Sequence, residues 1–167
     1  MPSWPQPNRP PPTIMPNFAE TRHTPYSTAQ LYALVIDVEK YPEFLPWCRG
    51  ARILQRTPDY FIGELMISFS HLTERYSSKV TGTPPDADGE AVINVSLVSG
   101  PFDHLSNNWH FVPNAEGGTD IHFSLDFAFK SKLLDTLLGG LFGKAVEKMT
   151  GAFLARADAL YGNKKIA

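Results

Sequence analysis

Glu74, Tyr76 and Ser78 lie at alternating positions in LTERYSSKV (72 to 80), and this is the spacing in the sequence with most chemical promise. Thr73, Arg75, Ser77 and Lys79 make the outward set of a strand there, which leaves Leu72, Glu74, Tyr76, Ser78 and Val80 facing inward. An inward carboxylate must be paired, hydrated or protonated. An inward hydroxyl is a donor that can serve the fold or a ligand. Asn107 and the indole N–H of Trp109 share inward parity in LSNNWHF (105 to 111). A few oriented polar groups in an otherwise apolar wall are the chemistry of holding a ligand. A plainer role stands beside each: Tyr76 and Trp109 as core aromatics with satisfied polar ends, and Glu74 at the wet end of its strand.

Catalytic and metal-binding patterns are missing. The five histidines (His23, His71, His104, His110 and His122) show no HExxH or other ligand spacing, and no GxSxG, GxGxxG or P-loop occurs. Cys48 is the sole cysteine, so it has no disulfide partner, no CxxC companion and no identifiable base. The expectation is a binding protein with no catalytic residues, no metal and no cofactor. Fifteen basic and 17 acidic side chains are spread along the chain without a basic run, which weighs against DNA and other phosphate polymers as partners. The most apolar stretch near the C-terminus, LLGGLFG (137 to 143), is far short of the ~20 residues of a spanning helix. These features favour a reducing, cytoplasmic setting.

The elements that must position these groups follow from periodicity. FAETRHTP (18 to 25) is an extended segment. Ser27 is an N-cap ahead of Leu31, Leu34, Val35 and Val38 at helical spacing, and Pro42 ends that helix or separates it from a second short one. From about 50 to 130 the period is two. Phe61, Leu65, Ile67 and Phe69 face inward in one strand, Ala91, Ile93, Val95 and Leu97 in another, and Ile121, Phe123, Leu125, Phe127 and Phe129 in a third. Turns fall at 83 to 90 and 114 to 118. Residues 131 to 161 read as one long helix with a stripe of Leu134, Leu138, Phe142, Val146, Met149, Phe153, Ala157 and Leu160. Gly139, Gly140, Gly143 and Gly151 each weaken such a helix by about 1 kcal/mol relative to Ala, which calls for close approach of the sheet or for a bend. The sum is an α+β domain, a curved antiparallel sheet of about six strands plus the first, wrapped around a long C-terminal helix, with two short helices near the N-terminus.

Two segments add to the wall. YPEFLPWC (41 to 48) gathers Tyr41, Phe44, Leu45 and Trp47 around two prolines, Pro42 and Pro46, either as a gate to a cavity or as packing beneath the helix. In SGPFDHLSNNWHF (99 to 111), Gly100-Pro101 forces a break, and Phe102 is either a cavity rim or the cap of the core. Seven of the 15 prolines fall in residues 1 to 16, which read as a disordered Pro-rich tail outside a domain at 17 to 162, with a short tail at 163 to 167. Translation from Met15 is the alternative reading of that start.

DVEKYPEFLPWC (37 to 48), SGPFDHLSNNWHF (99 to 111) and DFAFKSKLLDTLL (126 to 138), in this order, closely resemble the coenzyme Q-binding START-like family, whose bacterial members include ribosome-association toxins. The resemblance implies a helix-grip fold with a deep hydrophobic cavity. It implies a non-catalytic carrier of ubiquinone or a related polyprenyl lipid that supports respiration and quinone synthesis, with peripheral contact at the bacterial inner membrane. Its second implication is a factor that binds the large ribosomal subunit and blocks subunit association; a polyketide cyclase-type enzyme is the third. The residues then expected around the lipid are Phe44, Leu45, Trp47, Phe61, Leu65, Glu74, Tyr76, Phe102, Leu105, Trp109, Phe127, Leu138 and Phe142, with Tyr76, Ser78 or Trp109 donating to a quinone and Glu74 accepting from a hydroquinone.

Overall fold

The computed structural model describes residues 17–162; the expectations for 1–16 and 163–167 lie outside the described residues. The chain begins with β1 (Phe18–Thr24), α1 (Thr28–Ile36) and a 3-10 helix (Val38–Glu43). Six strands follow: β2 (Cys48–Arg56), β3 (Phe61–Phe69), β4 (Leu72–Thr83), β5 (Ala91–Ser99), β6 (Phe102–Pro113) and β7 (Thr119–Phe129). Two helices, α2 (Lys132–Glu147) and α3 (Met149–Tyr161), complete it.

The sheet order is β1-β7-β6-β5-β4-β3-β2, antiparallel at every pairing. β2 to β7 form a meander, and β1 returns beside β7. The chain therefore crosses from one sheet edge to the other through α1 and the 3-10 helix. Ser27 starts α1 with a full capping box, accepting from Gln30 N–H while the Gln30 side chain accepts from Ser27 N–H. Leu31, Leu34, Val35 and Val38 are buried against the sheet and α3, and Pro42 sits inside the 3-10 helix.

The inward sets named from alternation face the core in β3, β5, β6 and β7. In β4 the pairing with β3 is unbroken from Leu72 to Val80, so its alternation of faces holds. Where β4 meets β5, Ser77 pairs with Ser99 and Ser78 with Leu97, so the bulge adds one residue, Val98, to β5; Ser77, though of outward parity, is buried, and its Oγ meets Ser99 Oγ at 2.8 Å.

The expected single C-terminal helix is two. Lys148 departs from helical geometry at φ −97° and ψ −2°, and its N–H is shared between the carbonyls of Lys144 and Ala145, both at 3.2 Å. Just beyond, Thr150 is fully buried and its hydroxyl donates to Glu20 of β1. The break shifts the phase of the stripe. Phe153 and Ala157 stay inside, whereas Leu160 turns outward and Tyr161 packs beside Tyr26 at 6.0 Å. The glycines do not mark close approach to the sheet, because a Cβ at Gly140 or Gly143 would meet nothing within 4 Å.

Candidate functional site

Between the concave sheet face and the helices lies a cavity of about 70 Å³. Its wall comes from every layer: Val38 and Tyr41 of the 3-10 helix, Trp47 ahead of β2, Gly63 and Leu65 of β3, and Tyr76, Ser78 and Val80 of β4. Val95 of β5, Leu105, Asn107 and Trp109 of β6, and Leu125 of β7 continue it. Phe142 of α2 with Met149 and Phe153 of α3 close it from above.

The polar groups of that wall divide into committed and uncommitted. Trp109 Nε1 donates to Asn107 Oδ1 at 2.9 Å, and Asn107 Nδ2 donates to the Ser124 carbonyl at 2.8 Å. Tyr41 donates its hydroxyl to the Val35 carbonyl, tying the 3-10 helix to α1. These three are structural. The Tyr76 hydroxyl makes no hydrogen bond among the described residues, and Ser78 Oγ, on a side chain 5% exposed, is buried without a partner. Buried polar groups are almost always paired, so two open hydroxyls on one strand face are the chemical signal of the cavity. Burial raises the pKa of Tyr76 well above that of an ordinary phenol, and burial followed by the neighbouring Tyr76 does the same for Tyr41. Both remain neutral donors.

The SGPF run holds Tyr76 in place. Gly100 has φ +143°, a region that disfavours side chains, and a Cβ on it would come within 2.4 Å of Tyr76 Cβ and 3.0 Å of Tyr76 Cα. Ser99 anchors the neighbouring Ser77, and the Phe102 ring meets Tyr76 edge-on at 5.1 Å.

Of the residues expected around a ligand, Trp47, Leu65, Tyr76, Leu105, Trp109 and Phe142 line the cavity. Phe44, Leu45, Phe61, Glu74, Phe102, Phe127 and Leu138 do not. Phe102 is fully buried among Phe129, Phe142 and Tyr76, a cap of the core in place of a rim. Leu45 and Leu138 are likewise fully buried, and Phe127 packs against Phe142 at 4.7 Å. Phe44 leans on Tyr41 and Phe153 with Arg156 over its outer face. Phe61 borders an open cleft on the other side of Val80, with Tyr32 and Arg56. Glu74 is half-buried near the Thr73 end of β4, clear of the cavity, as its wet-end reading required. Trp109 cannot donate to a ligand without abandoning Asn107.

Several cavity residues were missed although their signal was present. Val80, Val95 and Leu125 have inward parity, and Met149 and Phe153 lie on the helical stripe. Gly63 carries no side-chain signal. Cys48, buried behind this wall, donates to the Gly50 carbonyl at 3.5 Å, and burial pushes its thiol up to about 11. Among the described residues no group of three or more His, Cys, Asp or Glu side chains is placed to hold a metal. No helix among them is long and apolar enough to cross a membrane, which leaves strands aside.

A curved antiparallel sheet closed by a C-terminal helix pair over an apolar cavity defines a helix-grip, START-like protein. The chain belongs to the family described as polyketide cyclase / dehydrase and lipid transport, which matches residues 24–154. It is 41% identical to the ribosome association toxin RatA of Rickettsia prowazekii over 143 residues, 86% of this chain and 97% of that protein. It is 30% identical to the mitochondrial coenzyme Q-binding protein COQ10 homolog B of Xenopus laevis over 152 residues, 89% of this chain and 61% of that protein. The solution structure of an 18 kDa protein of Caulobacter crescentus superposes with a TM-score of 0.66 at 36% identity, covering 87% of this chain and 97% of that one. The Zhui aromatase/cyclase of a Streptomyces species shares the fold at 16% identity and a TM-score of 0.71, over 84% of this chain and 92% of that one.

Proposed function

We propose that this protein is a non-catalytic carrier of a polyprenyl quinone, which it shelters in the cavity between sheet and helices in support of respiratory electron transport and quinone synthesis. The observation that carries the reading is the pairing of an apolar wall with two uncommitted hydroxyls, Tyr76 and Ser78, on the same face of β4. A quinone ring accepts hydrogen bonds and donates none, so it matches a site that offers donors. The strand repeat sets residues i and i+2 about 7 Å apart, so both hydroxyls can reach one ring. Each CH₂ of a polyprenyl tail buried among Leu, Val and Phe side chains contributes ~0.8 kcal/mol, which lets a protein compete with a bilayer for the tail. The name of the coenzyme Q-binding relative supports the same ligand class.

The cavity volume of about 70 Å³ falls below the ~300 to 1,000 Å³ typical of small-molecule pockets, so a quinone needs more room than this cavity offers. Uptake requires the roof, Phe142, Met149 and Phe153, to move off the sheet. The break at Lys148 divides that roof between two helices, α2 and α3.

The test is organic extraction of the purified protein followed by mass spectrometry, with addition of a short-tailed quinone while tryptophan fluorescence is followed. Co-purified quinone, or saturable quenching of Trp109 and Trp47, is expected. Absence of both would rule the carrier out. A second reading, binding to the large ribosomal subunit, is favoured by the names of the relatives called ribosome association toxins. Its test is a sedimentation profile of ribosomes with added protein, where accumulation of free subunits supports that role.

A further inference from the structure

The outer face of α2 carries a row of leucines that nothing among the described residues covers. Leu133, Leu137 and Leu141 are 66%, 48% and 42% exposed and recur every four residues, so they stand in line along 16 residues of helix. The opposite face of the same helix buries Leu138, Phe142 and Val146. A surface helix ordinarily sets charged residues opposite its core stripe, and this one sets apolar ones there. Lys130 and Lys132 flank the row at its start, and Lys144 and Lys148 continue it at its end. All four are exposed, and none is ion-paired among the described residues. Asp135 and Glu147 are the acidic residues of this helix, so the segment is net positive within a chain of formal charge −2.

We infer that the outer face of α2 docks on an anionic lipid bilayer, with Leu133, Leu137 and Leu141 entering the acyl boundary and the four lysines on the headgroups. A leucine row framed by lysines on a helix too short and too charged to span is the pattern of an interfacial helix. The inference deepens the carrier reading and rests on it for the reason a membrane is the partner. α2 is at once the contact and the roof, because Phe142 on its inner face lines the cavity. Gly140 and Gly143 weaken this helix with no packing to require them. A helix drawn toward lipid by its outer face would lift Phe142 from the cavity, opening the site where the cargo resides.

Vesicle co-sedimentation tests this, using phosphatidylcholine alone and phosphatidylcholine with one-third phosphatidylglycerol. The wild type should bind the anionic vesicles at least tenfold more tightly than the neutral ones, and less tightly as salt rises. The variant Leu133→Ser/Leu137→Ser/Leu141→Ser should lose at least tenfold in anionic-vesicle binding, and replacement of the four lysines by glutamine should abolish the anionic preference. Wild type that stays in the supernatant, or a serine variant that sediments as well as wild type, overturns the inference. So does loss, in the serine variant, of binding to isolated large ribosomal subunits without any vesicle binding by wild type, which would assign the face to the ribosome. Thermal midpoint and short-tailed quinone binding, measured in the absence of lipid, should stay close to wild type in both variants. Quinone binding without vesicle binding defeats the docking face and leaves the carrier reading intact; vesicle binding without quinone binding does the reverse.

Discussion

Replacing Ser78 with alanine should make the protein more stable and a poorer ligand binder. Ser78 Oγ is buried and unpartnered, and a buried hydroxyl without a hydrogen bond destabilises by about 1 to 3 kcal/mol. Deleting the oxygen removes that penalty. The space it leaves joins an existing cavity and costs only a few tenths of a kcal/mol at ~24 cal/mol per Å³. A net gain of about 1 kcal/mol corresponds to a rise in Tm of about 2 to 4 °C for a chain of this size. Loss of one hydrogen bond to a neutral ligand costs about 0.5 to 1.5 kcal/mol, or roughly a 2- to 12-fold weaker Kd. Urea denaturation and quinone titration by tryptophan fluorescence measure the two quantities on one sample. A serine kept for the fold would show the opposite pattern: stability lower by 1 kcal/mol or more in the alanine variant, with affinity unchanged, refutes the reasoning.

Phe44 and Trp47 should separate the two readings of the apolar segment at 41 to 48: Phe44→Ala costs about 2 kcal/mol in urea denaturation with little effect on binding, because Phe44 packs on Tyr41 and Phe153 outside the cavity, while Trp47→Ala lowers quinone affinity more than stability. Cys48, with its thiol pushed up from 9.0 to about 11 by burial, should react with Ellman's reagent at pH 8 roughly 90-fold more slowly than in urea-unfolded protein, by thiolate fraction alone. His23 and Asp120 face each other across β1 and β7, with Nδ1 to Oδ1 at 2.6 Å; Asp120 raises the pKa of His23, and His23 with Asn114 lowers that of Asp120. The raised histidine contributes below its unfolded value of 6.5 and loses that contribution as pH rises through its folded value, and the lowered aspartate contributes above its unfolded value of 3.8 and loses that as pH falls through its folded value. The pair therefore supports the β1 edge most between about pH 4 and 6.5, and an NMR titration of Asp120→Asn should return the imidazole toward 6.5.

The fold was legible because its strands alternate and its first helix carries a full N-terminal signal. Ser27 and Gln30 form a capping box, and Ile121, Phe123, Leu125, Phe127 and Phe129 keep one parity over a whole strand. Legibility failed where geometry departs from a regular period. The bulge opposite Ser77 and Ser78 inserts Val98 into β5, and the break at Lys148 resets the phase of the helical stripe without a proline to announce it. Cavity membership was less legible than burial. Phe102, Leu45 and Leu138 are as apolar and as inward as Leu65 or Leu105, and only three-dimensional packing decides which of them face one another and which face a void.

The polar groups were the better guide, once their partners were known. Parity placed Glu74, Tyr76, Ser78, Asn107 and Trp109 on inward faces without saying which were spoken for. The structure removes Asn107 and Trp109 by pairing them with each other and leaves Glu74 outside the cavity. What remains is Tyr76 and Ser78, which flank Ser77 opposite the β5 bulge. The same bulge pairs Ser77 with Ser99, and Gly100 beside it lets the next strand approach the Tyr76 backbone. The SGPF run thus acts through Tyr76 and not through its own phenylalanine. A side chain at position 100 should disturb the donor pair more than it disturbs the apolar wall, since the wall has many members and the donors have two.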